Sequence, residues 1–201
     1  MSERSLVVDW DGTVTERDML EGVVLEFGDP EVYARTEADL GGTLTHDDVL
    51  AIELGTVRAP LEEVVDFVVR EARLRPGFRE LAARRRPLVV SAGFHELIEP
   101  VLAREGIEVD LRANRVDARP DGWRVQFRET ARCESCGEAC KRLALPPGEV
   151  VFVGDGYSDR CAALAADRVF ATDSLARYLD SVGAAYEPFA DFHDVAGALA
   201  D

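Results

Sequence analysis

The sequence lacks any apolar segment long enough to cross a lipid bilayer, and it has little positive charge. Residues 1–4 lack the architecture of a signal peptide, because a strand pattern begins almost at once. We therefore expect a cytoplasmic protein. The 23 Lys and Arg residues stand against 39 Asp and Glu residues, which gives a formal net charge of −16. Nucleic acids and anionic membranes bind cationic surfaces, so the composition predicts neither of them as a partner.

Cysteine is also scarce, with four residues in the chain. In a cytoplasmic protein of this size, four cysteines do not indicate a disulfide framework. The spacings between Cys133, Cys136 and Cys140 suit a metal clip, and Cys161 is the candidate fourth ligand of a tetrahedral zinc ion. Two other interpretations stay open: reduced structural thiols, and a disulfide between Cys136 and either Cys133 or Cys140 after oxidation.

Apolar and charged residues make up 47% and 31% of the 201-residue chain, as is typical of globular proteins. This length suits one α/β domain with an insertion. Short apolar runs rich in β-branched residues predict buried parallel strands at residues 6–8, 87–91, 149–153 and 169–171. The turn sequence Pro120, Asp121 and Gly122 predicts a hairpin between residues 109–116 and 123–127.

Residues 16–75 have helix patterns and no strand pattern. Helix-start signals occur where Asp18 follows Thr15 and where Asp48 follows Thr45, and Pro60 opens a further helix. The sequence therefore predicts a helical cap at residues 16–75 and a core domain at residues 1–15 and 76–201. Further helices are predicted at residues 78–85, 174–181 and 191–199. Two others are predicted to end at residues 105 and 166, and one is predicted in the second half of 133–145.

Two carboxylates, Asp9 and Asp11, follow the first predicted strand. In extended chain a spacing of two places both side chains on one face, at the carboxyl end where open α/β sheets bind ligands. Two adjacent like charges need a cation, and oxygen ligands favour a hard divalent ion such as Mg²⁺. The alternative is an acidic β-turn in which Gly12 supplies a positive φ.

Further polar side chains follow the other strands: Ser91 follows the second, Asp155 and Asp159 follow the third, and Lys141 lies just upstream of the third. This set suits phosphoryl transfer. A carboxylate can attack phosphorus to form an aspartyl-phosphate, while Mg²⁺, a lysine and hydroxyl groups stabilise the transferring oxygens. A second carboxylate can protonate the leaving oxygen and later deprotonate the attacking water.

The segments DWDGTVT, VVSAGF, Lys141 and GDGYSD resemble the four ordered motifs of phosphatases of the haloacid dehalogenase (HAD) superfamily. The resemblance implies a three-layer Rossmann-like α/β core with a parallel sheet and a cap inserted after the first strand. It also implies a catalytic set consisting of the nucleophile Asp9, the general acid/base Asp11 and the phosphoryl-binding Lys141. The Mg²⁺ ligands or their supports would be Asp9, Asp11 through its backbone carbonyl, Asp155 and Asp159. The substrate-binding set would be Ser91, Ala92, Gly93, Thr13 and Asp18.

The cap position and the segment ANRV resemble the phosphoserine phosphatase-like branch of the superfamily. In that branch a glutamate usually stands where this chain has Asp18, and an arginine lies later in the cap, whereas residues 46–55 contain none. The segment CGEACK is similar to methionine-salvage phosphatases that act on a methylthio-keto-pentenyl phosphate. Cysteines close to the lysine that corresponds to Lys141 also occur in phosphocholine and phosphoethanolamine phosphatases.

The resemblance thus implies a phosphatase for a small metabolite phosphate. The keto-pentenyl phosphate is the first candidate substrate, and phosphoserine, phosphocholine and phosphoethanolamine are alternatives. A phosphate-binding protein without turnover is a different class of function that remains open. Tyr33 and Arg58 are further candidates for contacts with the leaving group, and His46 is expected to be a surface or capping residue.

Overall fold

A seven-stranded sheet with the strand order β4-β3-β2-β1-β5-β6-β7 forms the centre of the structure, a computed structural model that describes residues 4–200. The strands are β1 Ser5–Val8, β2 Leu88–Phe94, β3 Asp110–Asp117, β4 Arg124–Gln126, β5 Val150–Gly154, β6 Arg168–Ala171 and β7 Glu187–Pro188. All neighbouring pairs are parallel except β3 and β4, which form the predicted antiparallel hairpin. Strand β1 pairs with both β2 and β5, so the residues that follow β1 lie at the middle of the sheet edge.

Residues 4–200 contain nine α-helices. They are α1 Met19–Phe27, α2 Pro30–Asp39, α3 His46–Leu54, α4 Leu61–Glu71, α5 Phe78–Arg85, α6 His95–Glu105, α7 Arg160–Ala163, α8 Asp173–Val182 and α9 Phe192–Ala198. Short 3-10 helices occur at Lys141–Ala144 and Tyr157–Asp159. No helix in residues 4–200 has both the length and the apolar character that a membrane span requires.

The side chains of the central strands alternate between two apolar clusters. Leu6 and Val8 of β1 pack in one cluster with residues of α5, α6 and α9, whereas Val7 packs in the other with residues of α7 and α8. Because successive strand residues point to opposite faces, both faces of the sheet are covered by helices. The predicted three-layer α/β fold is confirmed.

Helices α1–α4 occupy the region between β1 and β2, and the two chain segments that connect them to the sheet lie side by side. Thr15 forms an isolated antiparallel bridge with Leu74, and the Arg75 N–H donates to the Val14 carbonyl over 2.8 Å. Apolar residues of α1, α3 and α4 belong to the same cluster as those of α5 and α6, so the two parts share one continuous apolar core.

Local details differ from the sequence predictions at a few points. Helix α1 is capped by Asp18, whose carboxylate accepts the N–H groups of Leu20 and Glu21, and not by Thr15. The Thr15 hydroxyl instead donates to the Arg17 carbonyl. The predicted helix in the second half of 133–145 is a short 3-10 helix that ends at Ala144, because Leu145 precedes Pro146 and is extended.

Two helix predictions are confirmed, and two strands differ from the prediction. Thr45 and Asp48 form a reciprocal capping box at the start of α3. Helix α5 has the predicted bounds, and strand β2 extends further than predicted, to Phe94, with an irregularity after Val90. Strand β7 has only two residues and was not predicted.

Candidate active site

A tight turn after β1 presents the two carboxylates of the first motif. In residues Trp10–Val14 the chain reverses so that the Thr15 N–H donates to the Trp10 carbonyl over 3.0 Å. Gly12 has a φ of +75°, and a Cβ there would lie 2.4 Å from Asp155 Oδ2. Only glycine therefore allows this close approach between the turn and Asp155.

Lys141 bridges two buried carboxylates from different strand ends. Its ammonium donates to Asp9 and to Asp159 Oδ1, the latter over 2.7 Å. All three side chains are nearly inaccessible, with exposed fractions of 4% for Lys141, 6% for Asp9 and 0% for Asp159. Burial acts to lower the pKa of Lys141, but the charges of Asp159 and Asp9 outweigh it and raise that pKa above its ordinary value. Lys141 is therefore a permanent positive charge beside Asp9.

Asp159 has both carboxylate oxygens occupied by donors. Oδ1 accepts the Lys141 ammonium, and Oδ2 accepts the N–H groups of Asp155 and Gly156, each over 3.0 Å. This residue thus fixes the loop that follows β5 and the lysine at the same time. We infer that Asp159 orients the groups around it more than it ligates a metal directly.

Carboxylate oxygens of Asp9, Asp155 and Asp159 lie within 4.8 Å of one another. The Thr13 hydroxyl donates to Asp155 Oδ1 over 2.6 Å and leaves Oδ2 of that carboxylate pointing at the Gly12 turn. Burial, and then the charge of Asp159, raise the pKa of Asp155 to about 6. Burial and Asp159 likewise raise the pKa of Asp9, and Lys141 opposes them. Crowded carboxylate oxygens of this kind fit a hard divalent cation such as Mg²⁺.

Asp11 faces away from this cluster, towards the start of helix α1. Its Oδ1 accepts the Met19 N–H over 3.1 Å, and its Oδ2 lies 3.5 Å from the Ser91 hydroxyl. Burial, and then the charge of Asp18, raise the pKa of Asp11 to about 8. A carboxyl with such a pKa can carry a proton at neutral pH and release it to a reacting group.

Strand β2 supplies the remaining residues of the predicted substrate set. The Ser91 hydroxyl accepts the Gly93 N–H over 2.8 Å, and a Cβ on Gly93 would lie 2.9 Å from Asp11 Oδ2. The Ala92 carbonyl accepts the side-chain amide of Asn114, which holds the strand end in place. Ser91 and Ala92 line the cavity described next, whereas the Gly93 N–H already donates to the Ser91 hydroxyl.

A cavity of about 250 Å³ extends from these residues to the helices α1–α3. Carboxylates of the helical region line its far side, namely Asp18, Glu21, Glu37 and Glu53. Apolar side chains lie between them, namely Leu20, Leu40, Val49 and Leu50. Lys141 is the only lysine or arginine that lines this cavity in the described part of the chain. Away from Lys141, carboxylates and apolar side chains therefore make up much of the cavity lining.

The predicted residues have distinct places around this cavity. Thr13 is fully buried and contacts Asp155, so we assign it to orienting that carboxylate. Asp18 lines the cavity while it caps α1. Tyr33 also lines the cavity, and its hydroxyl donates to Glu21 over 3.0 Å. Arg58 lies elsewhere, with its guanidinium on the Thr56 carbonyl.

Sequence reasoning missed several residues of the site. His46, expected to be a surface or capping residue, is half-buried at the start of α3. It lines the cavity and stacks on Tyr157, with ring centroids 6.3 Å apart. Burial, and then Lys141, lower the pKa of His46 to about 4, so its ring is neutral at pH 7. The Arg75 guanidinium donates to the carbonyls of Gly12 and Thr13 and so supports the first turn. Both contacts join residues that are far apart in the chain, so no local pattern of the sequence predicts them.

Comparison with known proteins shows the family of this chain. The profile of the family described as haloacid dehalogenase-like hydrolase matches residues 6–164. A 2-hydroxy-3-keto-5-methylthiopentenyl-1-phosphate phosphatase of Geobacillus kaustophilus is 32% identical, over 96% of this chain and 94% of the relative. An enzyme of the same name from Brevibacillus brevis is 30% identical, over 94% and 92%.

Solved structures show the same fold. A phosphoserine phosphatase solved as a phospho-aspartyl intermediate analogue superposes with a TM-score of 0.70 at 19% identity, covering 98% of this chain and 99% of the other. A substrate-bound phosphoserine phosphatase gives a TM-score of 0.71 at 16% identity, with the same coverage. The chain belongs to the family of haloacid dehalogenase-like hydrolases, and it is a phosphatase that hydrolyses phosphoric monoesters.

Proposed function

We propose that this protein hydrolyses a small metabolite phosphate through a phosphorylated Asp9, with Mg²⁺ as its cofactor. The observation that carries the proposal is the position of the Asp9 carboxylate. It lies between the Lys141 ammonium and the oxygens of Asp155, at the end of the cavity that also contains Ser91 and Asp11. Lys141 would orient the Asp9 carboxylate for attack, and the substrate would reach Asp9 through the cavity.

The carboxylates of Asp9 and Asp155 would hold Mg²⁺, with the Asp11 backbone carbonyl as a further ligand. The ion would supply positive charge to the phosphoryl oxygens. Lys141 supplies a second positive charge, and its buried bridge to Asp159 fixes where that charge lies. The net charge of −16 repels a phosphate dianion at long range, so these local charges matter for binding as well as for catalysis.

In the first step, an Asp9 oxygen attacks phosphorus and the bond from phosphorus to the leaving oxygen breaks. Asp11, which carries a proton at this stage, donates it to the leaving oxygen. In the second step, Asp11 removes a proton from water, and the water oxygen attacks phosphorus and releases Asp9. The contacts of Asp11 with Ser91 and with the start of α1 support this role, since its carboxyl would then lie where the phosphate and the leaving group meet.

We further propose that residues 16–75 act as a cap over a core of residues 1–15 and 76–201. The connections at Thr15 and Leu74, which form an antiparallel bridge, would act as a paired hinge between the two parts. A closed cap excludes water other than the attacking one and encloses the leaving group. Such an enclosure favours a small substrate over a phosphoprotein or a nucleic acid.

The substrate we favour is 2-hydroxy-3-keto-5-methylthiopentenyl-1-phosphate, the compound in the names of the relatives. Its single hydroxyl group can donate to a cap carboxylate, and its methylthio tail suits the apolar side chains of the same cavity. Phosphoserine fits less well, because its carboxylate would meet Glu37 and Glu53 with no arginine lining this cavity in residues 4–200.

A second candidate is a phosphate ester with a cationic leaving group, such as phosphoethanolamine or phosphocholine. The observation in its favour is the same set of carboxylates, which would pair with an ammonium group. The two candidates differ in how they depend on charge. A neutral hydroxyl donor needs only an acceptor in the cap, whereas an ammonium needs a negative charge.

A substrate panel with a charge-neutral cap variant separates these candidates. Asp18→Asn keeps a side chain that caps helices well and removes the charge. Asp29→Asn is the matched control, because Asp29 caps α2 in the same way and is absent from the cavity lining. We expect wild type and both variants to prefer the keto-pentenyl phosphate in kcat/KM. A preference for phosphocholine or phosphoethanolamine, reduced about tenfold or more by Asp18→Asn alone, would support the second candidate instead.

A further inference from the structure

Four cysteine sulfurs come together beside the active site. The Sγ atoms of Cys133, Cys136, Cys140 and Cys161 all lie within 4.8 Å of one another. Three belong to the loop before the 3-10 helix at Lys141–Ala144, and the fourth belongs to helix α7, which is packed against that helix. The apolar-thiol interpretation of the sequence explains burial, but it does not explain why four sulfurs converge on one point.

The spacing of the sulfurs fits a tetrahedral metal ion. Zinc–thiolate bonds of about 2.3 Å place the sulfurs of a regular tetrahedron about 3.8 Å apart. Cys133 Sγ and Cys161 Sγ are 3.7 Å apart. All four cysteines are free, whereas a disulfide would require a sulfur separation of about 2.05 Å.

Backbone hydrogen bonds close the loop that carries three of the cysteines. The Cys133 N–H donates to the Glu138 carbonyl over 2.9 Å. Gly137, at a φ of +77°, turns the loop so that its N–H donates to the Cys133 carbonyl over 2.8 Å. These two bonds hold the turn between Cys133 and Glu138, which presents Cys133 and Cys136 together.

We propose that Cys133, Cys136, Cys140 and Cys161 bind one Zn²⁺ ion in a tetrahedral site. All four positions are filled by protein sulfur, so the site is structural and has no open position for catalysis. The ion would join the segment before Lys141 to the segment after Asp159, since Cys140 precedes the lysine directly and Cys161 follows the aspartate by two residues. It would therefore hold together the two partners of the buried bridge in the active site.

Metal analysis of the full chain tests the proposal without reference to the proposed phosphatase substrate. The protein is produced without a metal-binding tag, purified without chelator and analysed for zinc and iron. We expect about one zinc per chain and negligible iron. Less than about a tenth of an equivalent of zinc, or iron in its place, would overturn the proposal, as would a mass lower by two hydrogens that reveals a disulfide.

A ligand variant and a matched neighbour test whether these sulfurs hold the ion. Cys136→Ser changes the most exposed of the four cysteines and is expected to lower the zinc content at least about tenfold. Ser135→Ala is the control, because its backbone N–H is kept and its side chain is not a ligand. Full zinc content in Cys136→Ser would contradict the proposed ligand set.

Titration of wild-type protein with an organomercurial covers the case in which Cys136→Ser does not fold. We expect zinc, detected with a chromogenic chelator, to be released in step with the reaction of the four thiols. Zinc that is removed by a mild chelator while all four thiols remain unreactive would contradict the proposal. A Co²⁺-substituted protein should show the visible absorption of a tetrahedral thiolate site, and its absence after Co²⁺ uptake would have the same meaning.

Discussion

The Lys141 ammonium donates to Asp159 Oδ1 over 2.7 Å while it also donates to Asp9, so one buried cation links the ends of two strands. Three charged side chains share a space from which water is nearly absent. Removing the cation would leave two buried carboxylates unpaired, which typically costs about 3–5 kcal/mol of unfolding free energy. The same bridge therefore stabilises the fold and positions the proposed nucleophile.

Replacement of Lys141 by arginine should keep the positive charge but disturb the hydrogen bonds to Asp9 and Asp159. The guanidinium is planar and larger than an ammonium, so it fits poorly into a nearly closed site between Asp9 and Asp159. We expect kcat for Lys141→Arg to fall at least about a hundredfold, with a smaller loss of stability than in Lys141→Ala. Steady-state kinetics and denaturant unfolding of both variants check this. Wild-type turnover in Lys141→Arg would show that charge alone is needed.

Loss of the Thr13 hydroxyl should weaken metal binding without removing a ligand. Thr13→Val keeps the shape of the side chain but frees Asp155 Oδ1 from its donor. We expect the Mg²⁺ concentration for half-maximal activity to rise about 10–100-fold, as for other supporting residues of metal sites. Thr36→Val is the control, because it also removes a buried hydroxyl, from a threonine that contacts Glu53 in the helical region. An equal effect of both substitutions would contradict the role given to Thr13.

Asp11 should matter most when the leaving group needs a proton. With an alkyl phosphate, Asp11→Asn is expected to lower kcat about 10²–10⁴-fold. With p-nitrophenyl phosphate, whose leaving group departs as a stable anion, the loss should be at least about tenfold smaller. The ratio of the two losses is the measurement. Equal losses for the two substrates would argue against proton donation by Asp11.

The buried carboxyl of Glu53 should make stability depend on pH. Glu53 accepts the Thr36 hydroxyl over 2.6 Å, and burial raises its pKa from 4.5 to about 7. A raised carboxyl pKa favours the folded state while the group is protonated. The stabilisation is therefore complete below about pH 4.5 and is lost as the pH rises through about 7.

Glu53→Gln keeps the acceptor and cannot ionise. We expect it to increase the unfolding free energy at pH 8 by up to about 3 kcal/mol, and to leave it nearly unchanged at pH 4.5. Denaturant unfolding at both pH values measures the difference. Glu26→Gln, at an exposed position of α1, is the control for lost surface charge. A gain in Glu53→Gln that is the same at both pH values would exclude ionisation of Glu53 as its cause.

Much of the fold and the first motif could be predicted from local patterns. The β-branched run at residues 6–8 and the spacing of Asp9 and Asp11 are properties of neighbouring residues, so periodicity reveals them. The capping box of Thr45 and Asp48 is local in the same sense, and it is present in the structure.

Features that depend on distant residues were not predictable in this way. Local patterns do not reveal that the Lys141 ammonium reaches Asp9, which lies 132 positions earlier. The role of Thr13 depends on where its hydroxyl points, towards Asp155, which no spacing rule reveals. The place of His46 in the cavity was not predictable from its neighbours, because its stacking partner Tyr157 lies beyond strand β5.

The turnover of Asp9→Asn tests the central claim most directly. The substitution keeps the size of the side chain and removes the attacking oxygen anion that would carry the phosphoryl group. Assayed with saturating Mg²⁺ and the best substrate of the panel, the variant is predicted to lose at least about a thousandfold in kcat while it remains folded. Turnover at the wild-type rate would contradict phosphorylation of Asp9 as the route of hydrolysis.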